Sequence, residues 1–172
     1  MTNLFPKQRL HTNILFLVLG SMLLTACNKK EHKVANPVAV EVYRVTVTNF
    51  PTSPPGGGTW DSEIFISDPY GRPDLLVKMF DNLNDTVGFS AGYSKLNSNH
   101  SNLPIGFDLD PAATVPLDRT ISFYLYDKDD FDADDYIGSV VSDTLSKAKD
   151  EQPGYLQYTN GDVGIRFYIR WK

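Results

Sequence analysis

Between Val40 and Trp171 the chain is cut by turn residues into short segments in which apolar and polar side chains alternate. A period of two is the mark of a strand with one face buried. The clearest case is 120–126, where Ile121, Phe123 and Leu125 alternate with Ser122, Tyr124 and Tyr126. In 40–48, Val40, Val42, Arg44, Thr46 and Thr48 fall on one face, and Glu41, Tyr43, Val45 and Val47 on the other. Segments 75–80, 86–93, 105–109, 136–141, 155–158 and 163–171 read the same way, and only 145–148 hints at a helical turn. Short strands separated by turn signals predict an all-β fold, an eight-stranded antiparallel β-sandwich whose loops cluster at its two ends. The longest break follows 40–48, where Pro51, Pro54 and Pro55 lead into Gly56-Gly57-Gly58. No internal repeat is visible.

One of these connections carries the chemistry. Asp127-Lys128-Asp129-Asp130-Phe131-Asp132-Ala133-Asp134-Asp135 holds six carboxylates between two strands. Two such charges about 4 Å apart repel by roughly 4 kcal/mol at an effective dielectric near 20. Within the loop only Lys128 offsets this. Such a loop either splays into water or closes around a hard cation, and calcium takes 6–8 oxygens at flexible geometry. An EF-hand is excluded: counting from Asp130, the position that needs Gly is Asp135 and the position that needs Glu is Val141. Zinc calls for Cys or His, and after Cys27 the histidines are His32, in a polar stretch, and His100, in a polar turn.

The start of the chain reads as targeting sequence. Lys7, Arg9 and His11 precede an almost unbroken apolar run over 14–24, too short to span a bilayer comfortably. The run ends in Leu24-Thr25-Ala26-Cys27, which resembles the bacterial lipobox, Leu-(Ser/Thr/Ala)-(Gly/Ala)-Cys, at all four positions. The resemblance implies a signal peptide over 1–26 and a lipidated Cys27 as the new N-terminus. Cys27 is the one cysteine, so no internal disulfide can form, and lipidation accounts for an unpaired thiol in an exported chain. Two or three acyl chains make a durable membrane anchor, where one chain binds only marginally. Residues 27–39 then read as the lipidated Cys and a flexible tether, and 40–172 as the sandwich domain. Asn28 stands where enterobacterial lipoproteins kept at the inner membrane carry Asp, so the expected location is the cell envelope at the outer membrane.

Removing 1–26 takes away Lys7 and Arg9 but no acid, so the formal charge moves from −5 to −7 over the remaining 146 residues. That length suits one domain. The acidic balance argues against nucleic acid as a partner, and against binding anionic lipid without calcium. A monomer is expected.

The segment from Asp127 to Gly138 resembles the third calcium loop of the C2 domain, the calcium- and phospholipid-binding module named after protein kinase C. That loop carries Asp at i, i+2 and i+8, then two residues and Gly, matched here by Asp127, Asp129, Asp135, Tyr136, Ile137 and Gly138. The family's other acidic loop opens a strand of the form Asp-Pro-Tyr-Val-Lys-Val, which Asp74-Leu75-Leu76-Val77-Lys78-Met79 resembles. Its earlier Asp corresponds either to Asp61, after Trp60, or to Asp68, six residues before Asp74; Asp61 is the preferred match. The resemblance implies calcium held by Asp61, Asp74, Asp127, Asp129 and Asp135, with Asp68 as the alternative to Asp61. With no clear strand before Val40 and one closing the chain at 163–171, it implies the phospholipase-like (type II) permutation of the fold. The family's basic, phosphoinositide-reading cluster is not carried over, since Lys95 is the one cation where it belongs.

Two function classes follow. One is a calcium-binding module that meets phospholipid or an envelope protein through its acidic loops. The other is a non-catalytic structural or adhesive envelope protein with no functional metal site. Trp60 and Phe131 lie near the expected loop tips, where aromatics either enter a membrane interface or pack locally. Enzymatic activity is not expected: no His is placed beside a Ser for base work, and Gly56-Gly57-Gly58 lacks the Lys-Ser/Thr of a phosphate loop.

Overall fold

Ile121, Phe123, Leu125 and Asp127 are all buried, while Ser122, Tyr124 and Tyr126 on the opposite face are half-exposed. The alternation read from the sequence is thus the pleat of a real strand, β5 (Ile121–Asp127). The computed structural model describes residues 33–60, 71–83, 86–89 (backbone only), 95, 98–129 and 133–172, within one unit, Lys33–Lys172. Positions 1–32, with the expected signal peptide and Cys27, lie outside the described residues. Among those described, no helix is long and apolar enough to cross a membrane.

Around β5 the other strands are β1 (Ala39–Asn49), β2 (Leu75–Asp81), β3 (Thr86–Phe89), β4 (Ile105–Pro116), β6 (Asp135–Val141), β7 (Tyr155–Asn160) and β8 (Val163–Trp171). Seven have described side chains; the eighth, β3, is a short edge strand. They form two antiparallel sheets, β4-β1-β8-β7 and β3-β2-β5-β6, stacked as a sandwich. The strand that closes the chain, β8, lies beside the strand that opens the domain, from Val40 opposite Trp171 to Asn49 opposite Gly164. Leu145–Ala148 is a short 3₁₀ turn.

Between the sheets, Phe123 of β5 meets Phe167 of β8 with ring centroids 5.0 Å apart. Both are essentially inaccessible, as are Val40, Val42, Val45 and Ile165. Full burial of side chains of this size is worth about 1.5–3 kcal/mol each, and this layer fixes how the sheets face one another.

Two expectations change, and one open alternative is decided. The face pattern of 40–48 does not run through: Val40 and Val42 point inward, but so do Val45 and Val47. The cause is a register shift between Val42 and Arg44 against both β4 and β8, which flips the inward side midway. β4 runs past the expected stop at Leu109 to Pro116, because it absorbs Pro111 in the same irregularity and pairs again from Ala113 opposite Val42. Trp60, expected near a loop tip where it would either enter a membrane or pack locally, packs locally: it is 7% exposed and belongs to the core. Phe131 lies outside the described residues.

The described part of the segment read as tether is hydrogen-bonded to the sandwich. Val34 N–H donates to Gln152 Oε1 and the Gln152 amide donates back to Val34 O, both at 2.8 Å. Lys33 Nζ reaches Asp150 O, Pro37 is buried, and Val38 N–H donates to Lys172 O at 2.8 Å.

Candidate functional site

Because β5 alternates inward at every second residue, the first acid of the loop, Asp127, lands on the core face. It is fully buried. Its Oδ1 accepts the backbone N–H of Asp74 at 2.6 Å, and Lys128 N–H donates to Asp74 O at 2.9 Å. These two bonds join the end of β5 to the start of β2, where Leu75 is the partner of Asp127. On the other side, Asp127 is paired directly with Asp135, the first residue of β6. Side chains opposite one another in an antiparallel pair have Cβ atoms about 4.5–5.5 Å apart, and like charges there repel. Three adjacent strands, β2, β5 and β6, therefore each bring an aspartate to the same pole of the sandwich. Asp129 follows two residues after Asp127, partly exposed. Asp74, Asp127, Lys128 and Asp129 are all engaged in further contacts.

The same pole receives the other sheet. Asn49, at the end of β1, pairs with Gly164. The β7–β8 turn at Asn160 to Val163 leans on β6, with Asn160 Nδ2 donating to Ser139 O at 3.1 Å. Gly138 pairs with Leu125 there, and a Cβ on it would stand 2.6 Å from Val163 Cγ2. The glycine that closes the acidic motif is thus required by the close approach of the two sheets. A groove of about 390 Å³ lies beside it, lined among others by Pro51, Pro55, Tyr136, Asn160 and Asp162.

The structure supplies a counter-charge that the sequence reading missed. Lys78, inward of Asp74 on β2, places Nζ 3.1 Å from Asp134 Oδ2 and 4.3 Å from the centre of the Tyr126 ring. Both partners are mostly covered, with side chains 24% and 28% exposed. Asp134, one of the six acids of the loop, is held by this ion pair. The signal lay in the pattern of β2, since Lys78 interrupts the apolar run from Leu75 to Phe80, but only the pairing of β2, β5 and β6 shows whom it meets.

Of the proposed ligands, the structure gathers Asp74, Asp127, Asp129 and Asp135 at one pole. Asp61 and Asp68 lie outside the described residues. The ends of that segment are pinned together: Trp60 N–H donates to Gly71 O at 3.0 Å, and Gly71 adopts φ +55° with Thr59 packed where a Cβ would sit. In kind, the donor set fits a hard cation, since it is carboxylate oxygen throughout. Among the described residues, however, no group of three or more His, Cys, Asp or Glu is close enough to hold a metal ion. The described carboxylates converge without forming a closed cage.

No protein-family model matches the chain, and no curated protein is similar to it in sequence. Among solved structures, it is similar to human GIVD cytosolic phospholipase A2 in complex with methyl gamma-linolenyl fluorophosphonate, at a TM-score of 0.40 and 14% identity; the match covers 77% of this chain and 16% of that one. The same phospholipase in complex with that inhibitor and terbium chloride gives 0.39 and 14%, covering 78% of this chain and 17% of that one. The chain therefore spans about a sixth of the length of the structures it matches.

Proposed function

We propose that this chain is a lipid-anchored protein of the bacterial cell envelope, whose C2-like sandwich binds calcium through the acidic loops at one pole and there meets an anionic partner, phospholipid or an envelope protein. The observation that carries the reading is the placement of Asp74, just before β2, with Asp127 and Asp135, on the neighbouring β5 and β6, at one pole. Asp127 and Asp135 would hold the ion between β5 and β6, with Asp129 closing from the loop and Asp74 and Asp61 (or Asp68) from the side of β2. Bound calcium would neutralise the acidic rim and let it engage an anionic group. The protein's own residues do the positioning: the Asp74 N–H holds the Asp127 carboxylate in one orientation, and Gly138 lets the pole close.

The alternative is a structural or adhesive envelope protein without a functional metal site. One observation favours it: Asp134 already has Lys78 as its cation. Thermal melting of the full chain in detergent separates the two. A weak extracellular-type site, with a dissociation constant on the order of 10⁻⁴–10⁻³ M, gains about 1.4–2.7 kcal/mol at about 10 mM calcium. The expected result is a midpoint several degrees higher in calcium than in chelator, lost in Asp129→Asn and Asp135→Asn. An identical midpoint in both buffers supports the structural reading instead.

A further inference from the structure

The chain enters the sandwich at the pole opposite the acidic loops. Val38 bonds to Lys172 and accepts from Leu117 N–H at 3.2 Å. Leu117 O in turn accepts from Ser146, and Ile121 O from Ser142. The β4–β5 and β6–β7 connections, the end of β8 and the entering segment therefore form one pole. From there β1 runs its 11 residues to Asn49 at the other pole, on the order of 35 Å at a strand's rise of about 3.3 Å per residue. The entering segment is also fastened where it arrives, by the reciprocal Val34–Gln152 pair and by Lys33 on Asp150. If the anchor is at Cys27, only the five residues from Asn28 to His32 separate it from Lys33. Five residues reach at most roughly 18 Å.

We infer that the sandwich is held with its acidic pole pointing away from the membrane that anchors it, so that its partner is met across a gap and not in the anchoring leaflet. This rests on the lipoprotein half of the reading above and is independent of whether calcium binds. A fully flexible tether over 27–39 would let the domain turn over and touch its own membrane with either pole. Fastening 33–38 to the sandwich shortens the free span and fixes the side from which the chain emerges. The aspartates then face outward from the bilayer, at about the length of β1 from the entry point.

Energy transfer from each pole to labelled lipid tests this. The full chain, purified with its acyl groups, is inserted into phosphatidylethanolamine–phosphatidylglycerol vesicles whose headgroups carry an acceptor dye. Donors sit on Asp118→Cys, in the exposed β4–β5 connection, or on Asp162→Cys, in the exposed β7–β8 turn; acylation blocks the thiol of Cys27. The donor at 118 is expected to be quenched several-fold more strongly than the donor at 162. Equal quenching, or stronger quenching at 162, in a chain shown by mass spectrometry to be acylated overturns the orientation and leaves the lipoprotein reading intact. Absence of acyl mass, or vesicle binding unchanged in Cys27→Ser, overturns the lipoprotein reading and the orientation with it.

Discussion

The Oδ1 of Asp127 accepts the backbone N–H of Asp74 at 2.6 Å, so a buried carboxylate of one strand orders the residue that leads into its neighbour. Asp127 therefore has a structural duty apart from the proposed calcium ligation, and substitution separates the two. Asp127→Ala removes the acceptor and strands a partly buried donor, at a loss of about 1–3 kcal/mol. A lower urea midpoint with an unchanged slope is the expected readout. Asp127→Asn keeps an acceptor at the same place, so it loses less, yet it abolishes the calcium-dependent rise in melting temperature. If Asn retained that rise, Asp127 would not be a ligand.

Lys78 would compete with the proposed calcium for the same loop. Its ion pair with Asp134 ties β2 to the loop beside β6 in the absence of metal. Lys78→Met preserves much of the packing along Tyr126 but deletes the charge. Without calcium it should lose about 0.2–1 kcal/mol, the usual range for a pair still open to solvent. With calcium it should gain more than the parent does, because one positive charge no longer opposes the ion. Titration by calorimetry, parent against variant, reads this directly. An unchanged affinity would show that Lys78 does not oppose the ion.

Glu41 adds a surface ion-pair cluster whose contribution depends on pH. Its Oε2 lies 3.1 Å from both Arg170 Nη1 and Lys172 Nζ, and hydrogen bonding to these cations, Arg170 first, lowers its pKa from the ordinary 4.5. A carboxyl whose folded pKa is depressed adds stability above its unfolded pKa and loses it as pH falls through the folded value. Urea midpoints should accordingly drop from about pH 5 downward, and Glu41→Gln should show a shallower drop over the same range. Equal slopes in the two proteins would remove Glu41 from the account.

Much of the fold was legible because period-two alternation and turn residues are local. Ile121, Phe123 and Leu125 announced β5, while the burial of Asp127, the next step of the same stripe, came only with the structure. What failed locally was set by pairing. Nothing in Tyr43-Arg44 marks an extra residue; the shift exists because β4 and β8 both realign there. The expected strand stopped at Leu109, short of Pro111, but β4 lies at the edge of its sheet, where an irregular stretch is tolerated. The site divides in the same way. The acids of one loop are contiguous and were read together. The Lys78–Asp134 pair joins residues 56 positions apart, so it followed only from the order β2-β5-β6. The preference for Asp61 over Asp68 concerns positions outside the described residues.

β1 lies inside its sheet, flanked by β4 on one side and β8 on the other. Its ladder bonds run across the strand direction. A pull on the chain ahead of Lys33, resisted by a grip at the far pole, would be directed along β1. Such a load meets the bonds of both ladders together, in shear, and cannot open them one after another as it would in peeling off an edge strand. The central place of β1 thus makes this sandwich a mechanically stiff link between whatever holds its entry and whatever holds its acidic end.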